Sequence, residues 1–246
     1  MLILLPPSEG KTAPAAGAPV DLAALAFAAE LTERRQKLLE ALAGLAGVSQ
    51  KRALTMLGLS PGQTSEIAVD AGLRDAPAAP AAEVYSGVLY DHLGLAQLPA
   101  RAQKQVLIAS ALWGVVRPGD RIPYYRFSAK AKLKGIGGLA AFWREGLRAA
   151  MPDREGDLVI DMRSGAHAAA WKPQSSTLIS VRAFSEEGGV RKPISHMAKA
   201  VRGDVAKALL AAKKAPKDPE GAAALAEAAG FRVELSDGYI DVVVDR

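Results

Sequence analysis

The chain contains no cysteine. That absence excludes a disulfide framework, thiolate coordination of zinc and direct sensing of an oxidant by a thiol. Histidine is nearly as scarce, at His92, His167 and His196, so a zinc site is not expected, and nothing in the chain implies another cofactor. No apolar run is long enough to cross a bilayer. The opening Leu2-Ile3-Leu4-Leu5 stops at Pro6-Pro7, too short for the core of a signal peptide. These absences point to the cytoplasm and away from any membrane partner. Acids are missing from two windows in particular. Arg101 to Lys134 holds eight lysines and arginines against one acid, Asp120; Val190 to Lys217 holds eight against Asp204.

What is present supports a folded protein. Half of the 246 residues are apolar, enough for a sizeable core in one large domain or two small ones. The reading adopted is one domain over residues 1–246, with a helical lobe around 30–75. The Ala/Pro stretch Arg74 to Ala82 is the best internal boundary. The two basic windows carry +14 together; the net charge is +5, so the remainder carries −9. Brought together by the fold, the windows would focus a positive field suited to nucleic acid or to a nucleotide-like small molecule. Left apart, they are two solvated faces.

The chain is organised around Val106 to Leu133. An apolar run, Val106 to Leu112, has the length of a buried strand. Gly114 and Arg117-Pro118-Gly119-Asp120 then turn the chain. A basic segment follows with Arg121, Arg126, Lys130, Lys132 and Lys134, and with Tyr124 and Tyr125 interleaved. A rigid strand feeding such a loop is a common way to present a binding surface, and Tyr124, Tyr125 and Trp113 are of the type that stacks on unpaired bases.

Around it, strands are expected at Leu2 to Leu5, Asp157 to Met162 and Thr177 to Arg182. A strand-into-turn is expected at Glu83 to Tyr90, with a helix from about Asp91. The end of the chain reads as a β-hairpin, Phe231 to Leu235 with Tyr239 to Val244. Helices are expected at Leu31 to Leu45, Gln50 to Leu57, Thr64 to Ala71, Leu139 to Ala150, Ile194 to Ala212 and Glu220 to Ala229. Lys199, Arg202 and Lys213 fall on one flank of the helix from Ile194. The fold class is α/β or mixed α+β, a central mixed sheet flanked by helices.

Two glycine turns carry a possible chemistry. Gly58 to Gly62 joins two helical stretches in the manner of a helix-hairpin-helix. Leu133 to Leu139 is the sharper candidate, since Gly135 and Gly137 let backbone N–H groups approach a phosphate at a helix start. A plain glycine turn before a helix fits the same residues. Gly10-Lys11-Thr12 invites a phosphate-loop reading, but that pattern needs a glycine where Leu5 stands. Lys11 is then a lone cation or amine at the end of a strand.

LILLPPSEGKT at the start, VYSG at Val84 to Gly87, LWGVVRPGD at Leu112 to Asp120, Tyr125-Arg126, Phe142-Trp143 and AKAVRG at Ala198 to Gly203 occur in an order that resembles the YaaA family. The resemblance implies a cytoplasmic peroxide-stress protein associated with limiting intracellular iron and oxidative DNA damage. It also implies DNA binding through a basic cleft, a helix-hairpin-helix element and a fold of the family's own. The sequence departs from the enterobacterial pattern in PPSEGKT, and in Arg163-Ser164-Gly165 where those members carry an acid.

Three functions stay open. One is a DNA-binding protein of little sequence specificity, on duplex or single strands, using Arg117, Tyr124, Tyr125, Arg126, Lys130, Lys132, Lys134, Gly135, Gly137, Lys199 and Arg202. Another is an enzyme on a nucleobase or nucleotide, with Lys11 as base or nucleophile. The third is a stress-linked scaffold with neither activity.

Overall fold

The computed structural model describes residues 1–188, 190–194 and 197–245. In chain order the elements are β1 (Leu2–Leu5), α1 (Ala28–Ala43), α2 (Gln50–Leu57), α3 (Ser65–Ala71), β2 (Ala78–Pro80), α4 (Ala81–Val84), α5 (Val88–Leu93) and α6 (Ala100–Gln103). The middle of the chain holds β3 (Val106–Ser110), β4 (Gly114–Val116), β5 (Arg121–Pro123), α7 (Leu139–Ala150), β6 (Leu158–Asp161) and α8 (Gly165–Ala168). The last part holds β7 (Thr177–Glu187), β8 (Val190–Pro193), α9 (Ala198–Ala211), α10 (Pro219–Ala228), β9 (Arg232–Ser236) and β10 (Tyr239–Asp245).

Among the described residues eight strands form one mixed sheet, in the order β4-β3-β1-β6-β7-β10-β9, with β8 added on β7. The pairs β3–β1, β1–β6, β6–β7 and β7–β10 are parallel; β3–β4, β7–β8 and β10–β9 are antiparallel. Strands buried on both faces read as unbroken apolar runs. Leu2–Leu5, Val106–Ser110 and Leu158–Asp161 do so, and their Ile3, Leu5, Val106, Ile108 and Ile160 are fully buried. The terminal hairpin forms as expected, with Tyr239 opposite Ser236.

Strand β1 lies inside the sheet with β3 on one side and β6 on the other. The chain leaves β1 for β3 and leaves β6 for β7, in opposite directions. In open parallel sheets that arrangement opens a crevice beyond the carboxyl ends of the two diverging strands. Everything that follows β1 and β6 therefore gathers at one end of the sheet.

Helix α9 packs on α5 at very short range. A Cβ built on Gly203 would stand 2.5 Å from the Leu89 carbonyl oxygen and 2.8 Å from the His92 Cβ. His92 Nδ1 also reaches the Asp204 carboxylate at 3.0 Å. Helix α7 is anchored by Trp143 Nε1, which donates to the Ala111 carbonyl at 2.8 Å. Helix α1 is tied to the sheet edge by Arg35, wholly buried, whose guanidinium donates to the carbonyls of Trp113, Val115 and Ala26.

Several expectations are corrected. Arg74 to Ala82 is not a free linker: it holds β2, paired antiparallel with β5, and Ala78 and Ala81 are fully buried. Glu83 to Tyr90 is not a strand, since α4 covers Glu83 and Val84 and α5 starts at Val88; Tyr85 makes only an isolated bridge with Lys11. Strand β7 runs five residues past Arg182, to Glu187, and is joined by the unexpected β8. The helix expected from Ile194 starts at Ala198; Ser195 and His196, within that expectation, lie outside the described residues. At Leu133 to Leu139 a glycine turn leads into α7, but the segment before it, 126–133, is not helical. Two helices joined by a short turn occur instead at α2 and α3.

Candidate functional site

Beyond the carboxyl ends of β1 and β6 lies a cleft of about 690 Å³. Five stretches line it: Pro6 to Lys11 after β1, Ser86 to Tyr90 at the start of α5, Tyr125 to Lys130 after β5, Ser164 to His167 after β6, and Lys199 with Arg202 on the first turns of α9. Gly58, Leu59 and Gln63, from the turn between α2 and α3, complete the wall.

Lys11 is held firmly. Pro6 and Pro7 fix φ just after the strand. The Thr12 N–H donates to the Val84 carbonyl at 2.8 Å, and the Ser86 N–H donates to the Gly10 carbonyl at 3.3 Å. The Ser8 hydroxyl donates to the Gly10 carbonyl and accepts from the Ser86 N–H. Tyr90 closes the loop from below, its hydroxyl donating to the Pro6 carbonyl at 2.7 Å. The amine of Lys11 then donates to the Ser8 carbonyl at 2.6 Å. It lies 4.4 Å from the ring centre of Tyr125 and 5.6 Å from that of Tyr85.

Beneath the amine is a buried hydroxyl chain. The Tyr85 and Tyr125 hydroxyls are 2.7 Å apart, and the Ser110 hydroxyl is 2.8 Å from that of Tyr125. Ser110 accepts in turn from the N–H groups of Leu112 and Trp113. Burial pushes Tyr85 up to about 12 and Tyr125 well above its ordinary value, so both stay protonated.

The charges around Lys11 compete. Burial, then the neighbouring Arg126, bring its ammonium down to about 8, while Asp70, Glu9 and Glu66 oppose them. A half-desolvated cation beside another cation gives up its proton more easily. Asp70, on α3 and 1 % exposed, is pushed up to about 7 by burial. One of its oxygens accepts the Arg126 N–H at 2.8 Å, and the other has no hydrogen-bond partner. His167 falls to about 4, by burial and then by Arg163 and Lys11, and is therefore a neutral imidazole at physiological pH. The segment carrying it is fixed by Arg163, which grips Asp161 through two bonds of 2.9 and 2.8 Å and donates to the Trp171 carbonyl.

Of the residues singled out in the sequence, Lys11, Tyr125, Arg126, Lys130, Lys199 and Arg202 line the cleft. The Arg126 guanidinium donates to the Glu9 carbonyl and Arg202 Nε to that of Val181 at 3.1 Å. The others lie elsewhere. Arg117 is on the edge strand side, over the Phe27 ring and 3.5 Å from the Lys104 carbonyl. Tyr124 directs its hydroxyl to Glu66 at 3.2 Å. Lys132, Lys134, Gly135 and Gly137 are exposed in the approach to α7, where the Lys132 N–H donates to the Met56 carbonyl. The basic windows are thus divided. Lys199 and Arg202 face the cleft, whereas the Ala212 carbonyl at the far end of α9 accepts from Arg101, beside the amino end of β3. Lys213 is at that far end too.

Stacking on Tyr125 or Trp113 is ruled out, since they are 1 % and 0 % exposed; neighbouring charges made them look accessible. Sequence reasoning missed Asp70 and Ser110 and gave His167 no role in the site. Tyr85 was visible only as part of VYSG. Asp70 shares its seven-residue helix with Glu66 in no recognisable motif, so it had no signal.

Residues 1–236 match the family model described as peroxide stress protein YaaA. UPF0246 protein SCO2297 of Streptomyces coelicolor is 44 % identical over 245 residues, covering 95 % of this chain and 92 % of that protein. UPF0246 protein CE1889 of Corynebacterium efficiens is 39 % identical over 242 residues, with 97 % and 96 % covered. UPF0246 protein Cgl1995/cg2186 of Corynebacterium glutamicum is 37 % identical, with 97 % of each covered. A family match over nearly the whole length and relatives of this identity lead to one conclusion: the chain belongs to the YaaA peroxide-stress family.

Proposed function

We propose that this chain acts in the peroxide-stress response of the cytoplasm by binding DNA in the cleft beyond β1 and β6, with little sequence specificity. The observation that carries the reading is the convergence of Arg126, Lys130, Lys199 and Arg202, from two distant stretches of sequence, on one cavity. Cations on a scaffold contact phosphates, and phosphate contacts position a strand without reading its bases. The turn between α2 and α3 borders the same cavity and is the element best placed to meet a backbone. Among the described residues, the α-helices lining the cleft do so through the first turns of α5 and α9 and through the four-residue α8, which fits weak sequence preference. The test is a titration of unrelated duplexes and single strands at one fixed salt concentration. Affinities within tenfold of one another support the reading; a thousandfold preference for one sequence, or no binding to any, contradicts it.

A second reading, an enzyme on a nucleobase or nucleotide, is favoured by one observation: the Lys11 amine, lining the cleft, is fixed by the Ser8 carbonyl and the Tyr125 ring, where burial lowers its pKa.

A further inference from the structure

Binding a polyanion does not need the environment that surrounds Lys11. A phosphate contact is best made by an exposed, fully charged lysine. Lys11 is instead half-buried, pinned by its backbone on both sides and fixed over two tyrosine rings. The remaining cations, Arg126, Lys130, Lys199 and Arg202, line the same cavity. Lys130 and Lys199 are exposed, so one positioned, half-buried amine shares its cavity with solvent-facing cations able to meet a phosphate.

We propose that Lys11 Nζ is a carbonyl-capturing nucleophile, and that its substrate is the aldehyde of a ring-opened pentose phosphate, free or within an abasic DNA strand. This rests on the DNA-binding reading for the strand-borne form only. The amine adds to the aldehyde carbon to give a carbinolamine. The carbinolamine loses its hydroxyl with one proton as water, and a C=N bond to Lys11 remains. No oxidant or reductant is needed. His167, neutral and on the cleft wall, is available to move the proton.

Only an unprotonated amine attacks a carbonyl. With its pKa brought to about 8 by burial and Arg126, Lys11 has about one amine in ten neutral at pH 7, against roughly one in a few thousand for an ordinary lysine. The rings of Tyr85 and Tyr125 and the Ser8 carbonyl aim the amine, and the solvent-facing cations neutralise the phosphate of the incoming sugar.

The experiment is reductive trapping. The protein is incubated with an oligonucleotide carrying one abasic aldehyde, or with deoxyribose 5-phosphate, in the presence of cyanoborohydride, and the adduct is mapped by peptide mass spectrometry. A reduced adduct on Lys11 is expected, and the two arms show which source is taken. Lys11→Arg should abolish the adduct while affinity for the same oligonucleotide with a tetrahydrofuran in place of the aldehyde changes less than threefold. An adduct on other lysines or on the terminal amine, or none from either source, overturns the inference. Binding of the tetrahydrofuran strand without trapping sinks this inference alone. Trapping of the free sugar phosphate without any strand binding sinks the DNA reading alone.

Discussion

The amine of Lys11 lies 4.4 Å from the centre of the Tyr125 ring, and the Tyr125 hydroxyl ties that ring to Tyr85 and Ser110. The lysine comes from the loop after β1, Tyr125 from the segment after β5, and Ser110 from the end of β3. The loop after β1, the segment after β5 and the end of β3 thereby meet at one amine. Tyr125→Phe keeps the ring but removes the shared hydroxyl, leaving that of Tyr85 buried with one partner fewer. The expected loss is about 1–3 kcal/mol, read as a lower urea midpoint with an unchanged m-value. No loss would mean that the hydroxyl chain contributes nothing to holding these segments together.

Asp70 predicts a pH dependence of stability. Its carboxyl titrates near 3.8 unfolded and at about 7 folded. A group raised on folding contributes stability that is fully present below the unfolded value and lost as pH rises through the folded one. Stability should therefore fall between about pH 4 and pH 7, by roughly 1.4 kcal/mol per unit of displacement. His167 acts oppositely over much of that window: it is depressed from 6.5 to about 4, so its contribution is lost as pH falls. The difference between wild type and Asp70→Asn isolates the carboxylate, since asparagine can still accept the Arg126 N–H. Urea midpoints at pH 5 and pH 8 decide it; a difference that does not change with pH would contradict the assignment.

Much of this frame was legible in the sequence, and the cleft only in part. Continuous apolar runs announced Leu2–Leu5 and Val106–Ser110, and a helical stripe expected to bury Phe142, Trp143 and Leu147 announced Leu139–Ala150 at its observed bounds, with Phe142 only half-buried. Small residues misled. Ala78 and Ala81 resemble linker by composition, yet both are fully buried, and Ala78 lies in β2 opposite Pro123 of β5, a long-range pairing that no local pattern records. Charge misled as well: Lys213 follows Lys199 and Arg202 in sequence, but fourteen residues of helix separate the two ends of α9. Lys11 was found because Gly10-Lys11-Thr12 invites a phosphate-loop reading, and Arg126 and Arg202 because they fall in the two windows poor in acids. Asp70 was not, because only tertiary burial makes it unusual.

The Lys11 amine should titrate at about 8, and its neighbours should move it in opposite directions. Arg126→Gln removes a repelling charge and raises it. Asp70→Asn removes an attracting one and lowers it. Carbon-13 NMR of the protein after reductive methylation with labelled formaldehyde reads the titration directly. A value unchanged in both variants would show that burial alone sets it.

Gly203 is the hinge on which the wall of the cleft rests. Its α-carbon approaches the Leu89 carbonyl too closely for any side chain. Gly203→Ala must push α9 away from α5, carrying Lys199 and Arg202 with it. A loss of about 1–3 kcal/mol is expected from the overpacking, with weakened DNA binding in the fraction that still folds. Full stability and full affinity together would show that α5 and α9 can separate at no cost.

The central claim is that the cleft, and not the general basicity of the chain, meets the DNA. The most direct measurement is the salt dependence of affinity for one labelled oligonucleotide, compared between cleft and far-end variants. Lys130→Gln and Lys199→Gln should each lower the slope of log affinity against log salt by about one, and Lys213→Gln and Arg101→Gln should leave it unchanged. Equal effects at both ends of the sheet, or an effect only at Arg101 and Lys213, would contradict the account.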